Sequence, residues 1–428
     1  LSKSNHYVSL DIGSSTIKVL IGEMDQNALH VIGVGNVQSA GIRKGTIIDI
    51  DATVQSIRKA IEQAERMTGL KIEEVVLGIP ANGVQFQNVK GVVAVNSENR
   101  EITDDDLERV MKSSQVMNVP PEREFVNLVP KQFIVDDYDE ITDPRGMMGV
   151  RLEMDATLIT TSKTQLHNIL RCVEKAGLQI REIYLQPLAA GTFALSEDEM
   201  YHGTAFIDIG GGSTTVSVFA ENRLISTSVL PVGGDHITKD LSIVLKTPTE
   251  QARMIKHQYG HAYYDDASDE ELFEVPVVGS DAKDQYSQRY ISDVIGSRLE
   301  ELFELILEDL YATGIRDLPG GIVITGGTAK LDGILQLARD VFKTRARLYT
   351  PEYIGVREPM YSTAVGLIRY AYMEDVFFGY EEEPVGSPQS PDSIYEVAEP
   401  SAKPVKPKKE KSQGFMKRAK KVFDNFFE

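Results

Sequence analysis

The chain has 428 residues, 42% of them hydrophobic and 25% charged, a composition that supports a folded body with room for two to four domains. Its formal net charge of −19 argues against broad nucleic-acid binding by that body. A single cysteine, Cys172, excludes a disulfide framework and a multi-cysteine zinc site. No run approaches the ~20 apolar residues of a membrane-spanning helix, and no basic region followed by an apolar core marks a secretory signal.

Tyr7–Gly22 reads YVSLDIGSSTIKVLIG: an alternating strand, Asp-Ile-Gly, a small polar turn and a second strand. Gly13 lets backbone N–H groups approach phosphate oxygens, and Ser14, Ser15 and Thr16 add hydroxyl donors. Asp11 ends its strand, where a carboxylate can hold the water shell of Mg2+, and Lys18 can meet a phosphate as a point charge. Alone, the segment reads equally well as an ordinary Gly/Ser-rich β-turn.

Further along, a helix is expected over Asp104–Gln115 with Thr103 as its N-cap. Strands are expected at Phe125–Val129, Gln132–Val135 and Arg151–Thr160, with a turn-rich loop over Tyr138–Gly149. Lys163–Gly177 reads as an amphipathic helix whose apolar face is Leu166, Ile169, Leu170 and Val173. Cys172 lies beside that face and is read as core packing rather than as a reactive thiol.

Ala205–Phe219, AFIDIGGGSTTVSVF, repeats the first hairpin, with Asp208 standing 197 residues after Asp11. Gly210, Gly211, Gly212, Ser213 and Thr214 occupy the turn. Ordinary turns do not usually repeat Asp-Ile-Gly-x-x-Ser/Thr, so the pair points to phosphate binding. Asp265–Glu274 holds six acidic residues; it lacks the glycine and spacing of a calcium loop, leaving a solvated loop or a docking surface for a basic partner. Ile291–Tyr311 is an amphipathic helix stopped at Gly314. Ile322–Ile324 is a buried strand, after which Gly326 and Gly327 turn the chain into a helix from Leu331. A nucleotide could lie on backbone at that Gly-Gly corner.

Gly379 to Gln413 holds six prolines with Ser and Glu, a linker that cannot bury enough surface to fold. Phe415, Met416, Ala419, Val422, Phe423, Phe426 and Phe427 then fall on one helical face, with Lys417, Arg418, Lys420 and Lys421 on or beside the other. From Lys403 to Glu428 the net charge is +6, so the remainder carries −25. A basic, Phe-rich helix on a long tether suits a membrane surface; docking onto the body and a groove partner are the alternatives. One such helix binds weakly, whereas linked copies bind far more tightly.

The two Asp-Gly hairpins, the Gly-Gly corner and the helices Gln186–Leu195 and Ser362–Ala371 resemble the actin/Hsp70/sugar-kinase superfamily. With the linker and tail, the chain resembles its FtsA branch of bacterial cell-division proteins. The resemblance implies an α/β, actin-like (ribonuclease H-like) two-lobed ATPase fold. The lobe 1 core would be 1–83 and 163–195, with an inserted α+β domain at 84–162. The lobe 2 core would be 196–235 and 316–378, with its own insertion at 236–315. A flexible linker at 379–413 and a membrane-targeting helix at 414–428 would follow.

The resemblance also implies ATP with Mg2+ between the lobes. Asp11 and Asp208 match the metal-side carboxylates, Gly13–Thr16 and Gly210–Ser213 the phosphate loops, and Gly326 and Gly327 the adenosine corner. Lys256 falls near the ribose or adenine contact, although Arg253 stands where a carboxylate would be expected. Gln186 matches the residue that orients attacking water. Glutamine is a poor base, so ATP is expected to act more as a ligand favouring polymer contacts than as fuel, with at most weak ATPase activity. The implied partners are the C-terminal tail of the tubulin-like protein FtsZ (through 236–315), further copies of the chain, anionic membrane lipids and later division proteins, with no nucleic acid. The implied place is the cytoplasmic side of the membrane at the septum. Another actin-like scaffold, PilM-like or a cell-shape filament, is the alternative. A metabolite kinase is a further one, but no sugar motif is visible and the tail would be unexplained.

Overall fold

The computed structural model describes residues 6–377 apart from 26, 116–118, 277 and 280–282. The expected linker and the expected helix at 414–428, from Phe415 to Phe427, lie outside the described residues.

The chain opens with an antiparallel meander, β1 (His6–Ile12), β2 (Thr16–Asp25) and β3 (Ala28–Gln38). A two-residue ribbon follows, β4 (Ile42–Arg43) with β5 (Thr46–Ile47), then α1 (Ile50–Thr68) and β6 (Glu74–Ile79). Asp49 caps α1 by accepting from the Ala52 N–H at 3.0 Å, and Gly69 ends it at φ 71°, the left-handed stop that glycine favours.

Next comes a separate unit: β7 (Gln85–Ala94), α2 (Asp104–Gln115), β8 (Arg123–Val135), β9 (Tyr138–Ile141) and β10 (Arg151–Ser162). Its strands form an antiparallel sheet in the order β7-β10-β8-β9. α2 lies on that sheet so closely that a Cβ on Gly91 would sit 2.2 Å from the Val110 carbonyl oxygen.

The chain returns through α3 (Lys163–Lys175), β11 (Gln179–Leu185), α4 (Gln186–Ala194) and α5 (Glu197–His202). A second meander follows, β12 (Thr204–Ile209), β13 (Thr214–Ala220) and β14 (Arg223–Leu230). Then come α6 (Gly234–Val244), α7 (Thr249–Tyr259), β15 (Leu272–Pro276), β16 (Lys283–Ser287) and α8 (Gln288–Ala312). β17 (Gly321–Thr325), α9 (Ile334–Phe342), β18 (Ala346–Leu348) and α10 (Ser362–Phe377) complete the described chain.

The two large sheets repeat one plan. The first runs β3-β2-β1-β6-β11 and the second β14-β13-β12-β17-β18. In each, three antiparallel strands are followed by two parallel additions. Even their irregularities match: the β2/β3 ladder slips between Ile21 and Gly22, and the β13/β14 ladder between Val218 and Phe219, positions separated by the same 197 residues as the motifs.

α4 and α10 are sandwiched between the sheets, and one apolar core runs from Leu10 and Leu77 through Leu188 and Leu367 to Phe206 and Phe219. This sandwich explains why α4 and α10 are buried almost all round rather than on one stripe. A second core lies on the outer face of the second sheet, under α6, α7, α8 and α9. The separate antiparallel unit has its own.

Several local expectations are corrected. The expected strands Phe125–Val129 and Gln132–Val135 are one strand, continuous through Pro130, because a register shift against β10 absorbs Lys131. The expected loop at Tyr138–Gly149 begins as β9, paired with β8. Thr103 stands at the N-cap position, its carbonyl accepting from the Leu107 N–H at 3.2 Å, but its hydroxyl does not accept; its N–H and hydroxyl both donate to Asp106, at 3.0 and 2.9 Å. After Gly326 a 3-10 turn, Gly327–Lys330, intervenes, so α9 starts at Ile334 rather than Leu331. Cys172 is fully buried, and burial pushes its thiol pKa up, which disfavours the reactive thiolate. In the acidic run, Asp269 and Glu274 pair with Arg289 and Lys283.

Candidate functional site

β1 and β12 both end in Asp-Ile, and both turn on a glycine. The Gly13 N–H donates to the Thr16 carbonyl at 3.1 Å, and the Gly210 N–H donates to the Ser213 carbonyl at 3.0 Å. A Cβ at either glycine would lie 2.8 or 2.9 Å from that same carbonyl oxygen, so each turn closes this tightly only with glycine.

The two aspartates meet different surroundings because their ladder partners differ. Asp11 lies opposite Lys18, and Asp208 lies opposite Thr215. Asp11 accepts from Lys18 Nζ at 3.0 Å on one oxygen and from Gln186 Nε2 at 2.8 Å on the other. Asp208 has only a long hydrogen bond, from Thr363 Oγ1 at 3.4 Å, among the described residues. Burial, with the Asp11 charge second, pushes the Asp208 carboxyl up to about 6; Lys18 and Thr363 pull the other way.

The turns face each other and touch. A Cβ on Gly211 would fall 1.9 Å from Ser15 Oγ, and one on Gly212 would fall 2.9 Å from the Ser14 Cβ. Ser15 Oγ donates to Asp235 Oδ2 at 2.8 Å, so a hydroxyl of the first turn is held by the start of α6. Ser14 Oγ accepts from the Gly45 N–H at 2.8 Å.

The second turn is enclosed by its own lobe. The Gly234 and Asp235 N–H groups donate to the Gly210 and Gly211 carbonyls at 3.0 and 2.8 Å, and Thr328 Oγ1 donates to the Gly210 carbonyl at 2.9 Å. Gly326, at φ 95°, leaves room for Asp208; a Cβ there would sit 2.3 Å from Asp208 Oδ1. Gly327 follows, with no atom nearer than 3.8 Å to the place of a Cβ. Lys256 is buried and donates to the Gly234 carbonyl at 2.7 Å. Burial lowers its ammonium to about 8, against the pull of Asp235. Arg253 instead balances acids, pairing with Asp235 at 3.5 Å and Glu250 at 3.7 Å.

The structure thus brings Asp11, Gly13–Thr16, Lys18, Gln186, Asp208, Gly210–Ser213, Lys256, Gly326 and Gly327 to one junction between the sheets. Phe415, Met416, Lys417, Arg418, Lys420, Lys421, Val422, Phe423, Phe426 and Phe427 lie outside the described residues. Sequence reasoning missed Asp235, Thr328 and Thr363. The Gly233-Gly234-Asp235 run opening α6 was the available signal for Asp235; nothing local marked Thr363.

The donors fit a phosphate chain with a hard divalent cation. They are backbone N–H groups, hydroxyls, Lys18 and Lys256, beside a carboxyl whose pKa burial raises. No group of three or more His, Cys, Asp or Glu side chains that could hold a metal occurs among the described residues. A cation here would draw most of its shell from water and phosphate, as Mg2+ tends to.

Comparison with known proteins agrees with this architecture. A family model described as "Cell division protein FtsA" matches residues 205–366, and one described as "SHS2 domain inserted in FTSA" matches residues 81–160. Among solved structures, one of the "PilM-PilN type IV pilus biogenesis complex" aligns with a TM-score of 0.57 at 16% identity, covering 85% of this chain and 97% of that one. MreB5 of Spiroplasma citri bound to ADP aligns with a TM-score of 0.53 at 13% identity, covering 88% and 98%. At such identities the likeness shows the fold alone, which is actin-like. The cell division protein FtsA of Bacillus subtilis is 54% identical over 371 residues, 87% of this chain and 84% of that protein. That of Enterococcus hirae is 43% identical over the same shares. This chain belongs to the FtsA family of cell-division proteins.

Proposed function

We propose that the chain is an ATP-binding, polymerising division protein that tethers FtsZ filaments to the cytoplasmic face of the membrane at the septum and helps recruit later division proteins. The observation that carries the nucleotide part is the pair of glycine turns facing each other over Asp11 and Asp208. Bound Mg-ATP would supply the phosphate charge and the cation that these groups suit.

In this reading each residue has a distinct task. The backbone of Gly13–Thr16 and Gly210–Ser213 cradles phosphate, Lys18 balances its charge, and Gly327 leaves space for the nucleoside while Gly326 makes room for Asp208, with Lys256 at the edge. Asp208 is the carboxylate free to hold a cation's water shell, because both oxygens of Asp11 are occupied. Asp11 instead orients Gln186, which can position water but is a poor base; turnover is therefore slow. Ser15 would exchange its bond to Asp235 for a contact to bound phosphate, and the lobes would close around the nucleotide. Assembly is thereby coupled to nucleotide state.

The subdomain 236–315 is the FtsZ-binding surface by family resemblance. Its exposed Ile243, Met254, Leu272 and Tyr290 suit a partner segment with apolar anchors. The tail 414–428 is the anchor on sequence grounds; among the described residues no helix is long and apolar enough to cross a membrane.

The test is co-sedimentation with anionic vesicles, comparing the full chain with one ending at Gly379, each with and without Mg-ATP. Tail-dependent binding strengthened by ATP is expected. Phe423→Glu should release the full chain while leaving ATP binding intact; equal vesicle binding by wild type and variant would sink the anchor.

A further inference from the structure

A cavity of about 760 Å3 opens where β17 and β18 begin, at the end of the second sheet remote from the glycine turns. Three arginines line it, and they are not equivalent. Arg347 is neutralised: its guanidinium forks onto Glu199 at 2.7 and 2.6 Å and donates to the Ala194 carbonyl at 2.7 Å. Arg339 donates to the Ala346 carbonyl at 3.3 and 3.0 Å, and Arg345 to that of Pro319.

These carbonyl bonds fix both guanidinium groups but use only part of their five N–H donors. Among the described residues, neither Arg339 nor Arg345 is in an ion pair. With Glu199 committed to Arg347, Asp198 is the one remaining acid on the wall. Both side chains are solvent-exposed in this open cavity, and two guanidinium forks held by carbonyls with no ion-pair partner among the described residues suit phosphate groups.

We propose that this cavity binds a small metabolite carrying a diphosphate group, held by Arg339 and Arg345. The site is separate from the glycine turns and does not depend on the reading of them. It is nevertheless joined to them through α4. That helix begins at Gln186, bonded to Asp11, and ends at Ala194, bonded to Arg347 on the cavity wall.

The test titrates the full chain with inorganic pyrophosphate, reading heat and hydrogen exchange. Protection of residues 196–202 and 345–348 is expected. Binding should weaken by about tenfold or more in Arg339→Gln/Arg345→Gln, the usual size of losing charge-assisted hydrogen bonds, with Arg345→Lys in between. Melting shows whether the double variant keeps its fold; if it does not, Arg345→Lys decides. Protection confined to 11–16 and 208–213, with affinity unchanged in the variants, would overturn the proposal by placing pyrophosphate on the glycine turns. So would the absence of binding at millimolar pyrophosphate. Self-association that needs the arginines and ignores pyrophosphate would assign them to a second copy of the chain instead, and would also overturn it.

Discussion

Asp11 and Asp208 show how one residue type acquires two roles from its cross-strand neighbour. Lys18 is only 8% exposed, and Asp11 is its sole ion-pair partner among the described residues. Asp11→Ala would strand a buried cation, at a cost of about 3–5 kcal/mol, read as a lower urea midpoint. Asp208→Ala should spare stability but weaken Mg-ATP binding about tenfold or more; unchanged affinity would remove the second turn from the nucleotide site. A second raised carboxyl adds to the pH sensitivity. Burial pushes Glu374 up to about 7, with Asp375 adding to the shift and the Tyr184 hydroxyl opposing it at 2.8 Å. Unfolded, the group returns to about 4.3, so the folded state binds the proton more tightly between those values. That stabilising contribution is complete below pH ~4 and is lost as pH rises through about 7. Glu374→Gln, which cannot ionise, should therefore gain in melting temperature over the wild type from pH 5 to pH 8. A gap that stays constant would show that Glu374 ionises alike in both states.

At the scale of elements, α4 and α10 cross at close range between the two sheets. A Cβ on Gly366 would lie 2.5 Å from the Ala189 carbonyl oxygen, and one on Gly191 would lie 2.2 Å from the Phe219 ring. Gly366→Ala gains up to about 1 kcal/mol of helix propensity, but the backbone clash costs about 1–3 kcal/mol. A net loss of about 1–2 kcal/mol in denaturant unfolding is expected. Sequence reading found both helices because those segments match the connecting helices of the superfamily the chain resembles, and it found the hairpins because Asp-Ile-Gly recurs. It read β9 as a loop because Tyr-Asp-Glu-Ile has no strand signature of its own and is paired only through Phe133 and Val135. It split β8 at Pro130 because the slip that leaves Lys131 unpaired shows only in the pairing with β10. In the candidate site it could list the glycines and aspartates. It could not see that Asp235 from α6 would reach Ser15, 220 positions away.

At the scale of the whole molecule, Ser15–Asp235 and the touching turns tie one sheet to the other, in addition to the α4–α10 joint. Asp235→Ala removes the hydroxyl bond and the Arg253 ion pair together. Amide exchange at 11–16 and 208–213 should accelerate about tenfold, consistent with losing a charged hydrogen bond, while exchange in α2 and β10 stays unchanged. Acceleration across every element would mean general unfolding instead of lobe separation. The matching ladder slips at Ile21/Gly22 and Val218/Phe219 have a practical outcome as well. They show the two halves repeating one hairpin plan, so the chain holds two editions of one hairpin under identical solvent, temperature and concentration. Lys18 and Thr215 occupy equivalent places in them; exchanging the two residues would move a single charge from one edition to the other, with the molecule serving as its own control.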